Sequence, residues 1–342
     1  MIGAQVGPYL QKGAWQANAS MSQFQTNQEY EGTALRQSLI AAGNEVIEGS
    51  TALDLEASYG VSRQLDVTLD APVTLNYHWS TVVAGTRYED TARGLDDMTL
   101  SVHRWLFDCT KHTDQNISLG LGVRMPTGNA NAQWPFPNSL GQDITERAVF
   151  TGAQLGSGAW GLFPIIEGFK QFRYLTIFGT GSYLFSLRGQ NNTYSFGAAI
   201  NPNGPTAVPA NIRYNSTPDS YFVHTGLAAP IPIPRVKGLS ALFAGRIVGV
   251  PVHNVFGPTT GFRQPGFLVT VEPGVNLDTK LATYSFSVPL RVAQEVESSL
   301  GSPRASDFAQ HLILVSVSFN LGGGGGSKAP ADTPPATPAP IN

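Results

Sequence analysis

The chain has 342 residues, a formal net charge of −3 and only 13% charged residues, well below the roughly 25% of soluble domains. Nothing in that balance offers a basic footprint for nucleic acid, and the single cysteine, Cys109, excludes an intrachain disulfide and a multi-cysteine zinc site. No apolar run approaches the roughly 20 residues of a membrane-spanning helix. A transmembrane β-barrel meets all these constraints, because half of each strand faces lipid and half faces a polar interior.

Met1-Ile2-Gly3-Ala4-Gln5 has neither a basic n-region nor an apolar h-region. A barrel reaches the outer membrane by export, so this start is expected to be that of a trimmed, mature form. Residues 1–12 are expected to be a short periplasmic segment, too short for a plug domain.

Alternation begins at about 13–25, with Trp15, Ala17, Ala19 and Met21 in one phase. From Thr51 to Tyr77 it is nearly unbroken. Leu53, Leu55, Ala57 and Tyr59 oppose Asp54, Glu56 and Ser58. After a turn at Ser62-Arg63-Gln64, Leu65 through Tyr77 oppose Asp66, Thr68, Asp70, Thr74, Asn76 and His78. Strict period-2 alternation means one wet and one dry face, and a run this long suits a tilted strand crossing a bilayer, which needs about 9–11 residues. Further runs fall at about 96–107, 116–126, 158–170, 173–187, 219–230, 238–250, 265–278, 281–294 and 309–321. The tally is twelve strands. Ten or fourteen remain open, because 158–170 is irregular and 193–200 could add a hairpin.

Connection lengths support the same reading. Segments 26–51, 80–95, 127–157, 188–218, 251–264 and 295–308 are long, and those between them are short. Long extracellular loops and short periplasmic turns are the habit of outer-membrane barrels. Aromatics at strand ends, Tyr77, Trp79, Trp105, Tyr183 and Tyr221, could form interfacial girdles or reflect ordinary strand propensity. Pro72, Pro273 and Pro289 are awkward in a sheet with no free edge and are expected to mark bulges or rims. After Leu321, Gly322–Ser327 and a proline- and alanine-rich stretch read as a flexible periplasmic tail, 322–342.

Several stretches carry a family resemblance. They are Gly7-Pro8-Tyr9-Leu10-Gln11-Lys12-Gly13-Ala14-Trp15, Leu53 to Gly60, Gly94 to Leu100, Leu119 to Gly128 and Leu155 to Gly161. Together they resemble the bacterial family of outer-membrane transporters named after the meta-cleavage pathway of phenol degradation. Leu121-Gly122-Val123-Arg124-Met125-Pro126-Thr127-Gly128 is the most specific piece, and the resemblance covers about residues 7–321. It implies an outer-membrane barrel linked to uptake of hydrophobic or aromatic compounds, and it brings no catalytic residues. The Gly/Pro tail departs from the family's plain barrel.

The strand phases themselves supply a lumen inventory. Asp54, Glu56, Asp66, Asp70, Asp97, Glu167 and Glu272 are expected to face inward, with His78, His103, Arg124, Arg246 and Arg291. Facing rows of acid and base could orient a solute, or pair and plug a narrow barrel. The loops 127–157 and 188–218 could constrict the mouth or lie on the surface, and 261–266 is a candidate rim for solute contact. An outer-membrane lipid hydrolase would need a serine and a histidine within hydrogen-bond reach; His311 with Ser306 is the nearest candidate and lacks an evident geometry. The six histidines show no metal-ligand spacing, and no phosphate cradle is present, so no cofactor is expected.

The expected fold is all-β, a single antiparallel transmembrane barrel over 13–321 in the bacterial outer membrane. The expected work is passive or gated passage of small solutes, with membrane lipid and solute as partners and no nucleic acid. The alternative is a closed structural barrel whose tail or loops bind a periplasmic partner.

Overall fold

The computed structural model describes residues 9–321 apart from 235, 280 and 300–304. Residues 1–8 and the Gly/Pro-rich tail at 322–342 lie outside the described residues. Alternating segments form twelve strands: β1 (Trp15–Thr26), β2 (Ile47–Gly60), β3 (Leu65–Val83), β4 (Thr99–Trp105), β5 (Gln115–Arg124) and β6 (Gly161–Gln171). Then follow β7 (Thr176–Ser186), β8 (Ser220–Pro230), β9 (Leu239–Val250), β10 (Gly266–Asp278), β11 (Ala282–Ser287 and Leu290–Val296) and β12 (Ile313–Leu321). Each strand pairs antiparallel with its neighbour in the chain, and β12 returns to pair with β1 from Leu321↔Trp15 to Ile313↔Gln23. Closure removes the free edges of the sheet. It also settles the strand count, since 161–171 is a wall strand and Gln190–Tyr194 pairs with Tyr214–Ser216 in a separate sheet.

Outward positions are exposed and apolar around the wall: Leu55, Leu69, Leu100, Leu121, Ile166, Ile177, Val223, Phe243, Val275, Phe286 and Val315 are each more than a third accessible. Water would not tolerate such a continuous band; hydrocarbon does. The protein is an outer-membrane barrel, with short turns at the end that carries the chain's described start and long connections at the other.

One strand departs from simple alternation. Thr51 of β2 pairs with Asn76, but the next residue, Ala52, pairs with Thr74, so Leu75 is an extra residue in β3. A bulge of this kind reverses which side chains face in. Above it Tyr77 and Trp79 turn to the interior and are buried. β3 then projects past the rim and folds back at Ala84 and Gly85, both at positive φ, as a two-residue hairpin turn requires. The returning segment Thr86–Leu95 pairs along the upper part of β3.

Pro72, Pro273 and Pro289 sit where a ladder changes hands. Below Pro72, β3 pairs with β4; above it, with the returning segment. Pro289 divides β11, and Pro273 of β10 lies beside that break, its carbonyl accepting from Val288 N. The division has a consequence for the wall. The lower half of β11 is zipped to β12 from Ala282↔Phe319 to Ser287↔Leu314. The upper half keeps only a bridge, Leu290↔His311, and the bonds Leu312 N→Pro289 O and Arg291 N→Gln310 O. Val292, Ala293 and Gln294 have no ladder partner on that side among the described residues. A seam therefore runs up the outer half of the wall.

A lipid-facing charge tests the placement of the wall. Leu121→Arg, near the middle of β5, should destabilise the folded barrel by about 2–4 kcal/mol. Reversible urea unfolding in vesicles measures this, and lumen-side Ser316→Ala should leave the midpoint nearly unchanged.

Candidate functional site

The lumen wall divides into chemically distinct arcs, because inward phases of consecutive strands lie side by side. On β6, β7 and β8 the inward side chains include Phe163, Ile165, Phe169, Phe178, Leu184 and Phe222. Across from them, β11, β12 and β1 present Thr283, Ser285, Ser287, Ser316, Ser318, Gln16, Asn18 and Ser20. Gln16 Nε2 donates to Ser318 Oγ at 2.9 Å across the closure. Between these arcs lie two charged walls. One is acidic, on β2 and β3; the other is basic and acidic together, on β8 to β10.

Glycines set the depth of the apolar arc. A Cβ on Gly122 would stand 2.2 Å from the Phe163 ring, and one on Gly226 would meet Ala244 at 2.6 Å and the Phe178 ring at 2.8 Å. The rings therefore lie against backbone instead of projecting across the barrel. Gly120 has a related use. It stands between His103 of β4 and Ile165 of β6, and across it His103 Nδ1 reaches Glu167 Oε1 at 3.7 Å.

The acidic wall holds Asp54 and Glu56 on β2 with Asp66 and Asp70 on β3. Glu56 is paired in register with Asp70, and Asp66 with His103. On the other side Glu272 is the centre of a buried cluster. It receives Arg246 Nη2 at 2.9 Å, lies 3.2 Å from His224 Nε2 and accepts from Ser287 Oγ at 2.7 Å. Burying a charge is tolerable only with such company.

Three of the candidate residues differ in situation from the rest. His78 is the correction: the extra residue Leu75 turns it to the outer face, where its ring lies over Gly49. Asp97 lies inside but is occupied as an anchor. It accepts from Gly128 N at 3.1 Å, Ser157 N at 2.8 Å and Ser157 Oγ at 2.7 Å, and sits 3.8 Å from Arg124 Nε. Arg291 spans the seam, donating to Phe308 O, Gln28 Oε1 and Tyr30 OH, each at 2.6 Å, with its guanidinium 4.6 Å from the Tyr30 ring centre. Asp54, Glu56, Asp66, Asp70, His103, Arg124, Glu167, Arg246 and Glu272 all lie on lumen-side phases. The expected girdle also needs correcting: Tyr77, Trp79 and Trp105 are buried inside, whereas Trp15 and Tyr59 pack together on the outside, ring centres 4.9 Å apart.

Both ends of the lumen are covered. Outside, the loops 125–160 and 187–219 fold over the mouth around Trp79, which stacks on Phe150 at 4.6 Å and meets Phe196 edge-on at 4.9 Å; Phe136 completes the cluster. The loops are tied to each other through Arg147 Nη1→Ala199 O, Thr193 Oγ1→Ala130 O and Asn191 Nδ2→Ser157 O. The 261–266 turn, expected as a solute rim, instead fastens this cap. Arg263 is buried and donates to Ser216 Oγ and Asn254 Oδ1, and burial pushes its pKa down to about 10. Beneath the cap is a cavity of about 120 Å³, bounded by Asp70, Asp96, Arg124, Phe163, Leu184 and Phe222 among others.

At the periplasmic end, Tyr9 reaches into the mouth. Its ring packs edge-on against Trp105 at 5.1 Å and Phe169 at 6.0 Å. Its hydroxyl donates to His112 O and accepts from Asn116 Nδ2 at 3.0 Å. Nothing in the local sequence marks this contact, because its partners lie about a hundred residues away. Cys109 is buried in the same group, and burial pushes its thiol up to about 11, which suits a packing role.

No family model matches this chain, and no curated protein sequence matches it. Among solved structures, the COG4313 outer membrane channel from Pseudomonas putida F1 aligns over 94% of this chain and 99% of that one, with TM-score 0.58 and 11% identity. The toluene transporter TodX from Pseudomonas putida aligns over 94% and 97%, with TM-score 0.43 and 8% identity. The NanC porin aligns over 88% and 98%, with TM-score 0.42 and 8% identity. At these identities the first similarity speaks for the fold, and the other two are too loose to argue from.

The anchoring of the cap is testable. Asp97→Ala strips acceptors from two backbone N–H groups, a loss of about 1–3 kcal/mol when such groups are buried. The 125–160 loop should then become cleavable by protease in folded barrels, while wild type resists.

Proposed function

We propose that this protein gives small solutes, hydrophobic or aromatic compounds above all, a gated and non-enzymatic path through the outer membrane. The observation that carries the reading is the apolar lining of β6, β7 and β8, with Phe163, Leu184 and Phe222 under the cap and Phe169 and Phe178 toward Tyr9, parted by the polar row Glu167, Thr180 and His224. A route for sugars or salts would gain nothing from phenylalanines laid flat along its wall, whereas an apolar solute loses water contact at each step. The covers at both ends make the path gated. The resemblance of the sequence to transporters linked to aromatic degradation supports the same solute class.

The seam beside β11 gives such a solute a second way between lumen and surroundings. An apolar molecule passing sideways there would enter hydrocarbon instead of water, and the side-chain bonds of Arg291 hold that place closed. Ser306 is held in a strand pair with Tyr30, and among the described residues His311 bridges to Leu290 and not to a serine.

Liposomes with a lipopolysaccharide outer leaflet, which slows unaided entry of apolar solutes, carry the folded barrel and test the reading by comparing entry of radiolabelled toluene with that of polar glucose. The proposal expects faster toluene transfer to an internal trap than in empty liposomes, and little glucose entry. Tyr9→Ala should raise single-channel conductance by widening the periplasmic mouth. Arg291→Ala should raise toluene transfer and leave conductance nearly unchanged. Equal toluene transfer with and without protein would sink the proposal.

A further inference from the structure

The cavity beneath the cap is apolar on one side and charged on the other. Phe163, Phe222 and Leu184 form its apolar side, and Asp70, Asp96 and the Arg124–Asp97 pair form the charged one. The charge does not balance. Arg124 is offset by Asp97, which leaves Asp70 and Asp96 facing the space. Asp96 Oδ2 accepts from Thr74 Oγ1 at 2.9 Å. Asp70 is different: it is 3% exposed, and its Oδ1 has no hydrogen-bond partner. Nor does it form an ion pair among the described residues. Beside it Asp54, also with a bare Oδ1, is hydrogen-bonded carboxyl to carboxyl with Asp70, so the two hold one proton between them.

Sharing a proton relieves the repulsion within the pair, and it leaves one buried negative charge with bare oxygens, which a cation placed against it would offset. The geometry does not suit a metal, for no group of three or more candidate ligands comes together among the described residues. An organic cation fits better, because its apolar part can use the facing wall. Aromatic faces in this lumen already accept positive charge, as Arg246 does over Phe222 at 5.6 Å. The cavity's size bounds the solute: at about 120 Å³ it is tighter than an apolar cavity of about 150 Å³ that takes benzene, so one ring fills it and the ammonium has to lie at its charged margin beside Asp70.

We propose that the cavity beneath the cap is a binding site for a small arylalkylamine, whose ammonium group donates to Asp70 and whose ring lies against Phe163 and Phe222. This rests on the reading of the lumen as a solute path and names a solute class for it. The selecting feature is charge at fixed shape, so three probes of one shape decide the matter: benzylammonium, benzyl alcohol and benzoate.

Isothermal titration of the full, detergent-folded protein at pH 7 should show benzylammonium binding about tenfold or more tightly than benzyl alcohol, and benzoate weakest, since a charge-assisted hydrogen bond is at stake. Asp70→Asn, close in shape, should remove most of the preference for benzylammonium over benzyl alcohol while leaving benzyl alcohol binding unchanged. Heat-modifiable gel mobility confirms that the variant is folded; if it is not, the probe series on the unaltered protein still decides. Benzoate binding best would assign the site to Arg124 and overturn the proposal, as would equal binding of all three. If toluene transfer into liposomes succeeds while the amine shows no preference, only this inference fails. If toluene transfer also fails, the passage reading fails with it.

Discussion

Everything in this molecule answers to one constraint: in hydrocarbon, backbone N–H and C=O groups have only each other. Closing β12 onto β1 satisfies that demand around the whole wall, and the departures from it are informative because they are few. Pro72 and Pro273 stand where a neighbouring strand has changed or broken, so their missing donors cost little. Pro289 goes further, ending one ladder and leaving the upper part of β11 to be held across the seam largely by an arginine side chain. Among the described residues, this stretch of β11 is a place where a side chain stands in for backbone pairing.

Within that wall, electrostatics and packing divide the lumen. Glu272 is enclosed by Arg246, His224 and Ser287, and Asp97 by Arg124 and two loop amides, so both are spent on structure. The carboxyls of β2 and β3 lack such enclosure. The apolar arc between these regions exists only because Gly122 and Gly226 surrender the space that a side chain would take. Small residues and large ones are therefore complementary across neighbouring strands, and a change at either would be felt at the other.

Much of the fold was legible in the sequence. Period-2 alternation named the strands, and loop lengths gave their orientation, because both follow from one face meeting lipid and the other not. What escaped is what alternation does not encode. A single extra residue at Leu75 has no compositional mark, yet it turns His78 outward and Tyr77 and Trp79 inward. Phase placed His103 and Glu167 inside, but their pairing across Gly120 needs the tilt and register of three strands. The task of Arg291 could not be foreseen, since Gln28 and Tyr30 lie at the far end of the sequence. The loop aromatics Phe136, Phe150 and Phe196 form a packed cap only because the bulge delivers Trp79 to them.

Tyr9 carries a consequence for the order in which the molecule is made. It belongs to the first residues of the described chain, yet the pocket that receives it is built from Trp105, Asn116 and Phe169, on strands four to six. That pocket does not exist until those strands have registered. The segment that is synthesised early must therefore wait and dock late, after the wall around it has formed. Docking of Tyr9 is thus a marker for the completion of assembly, and the periplasmic mouth stands open until then.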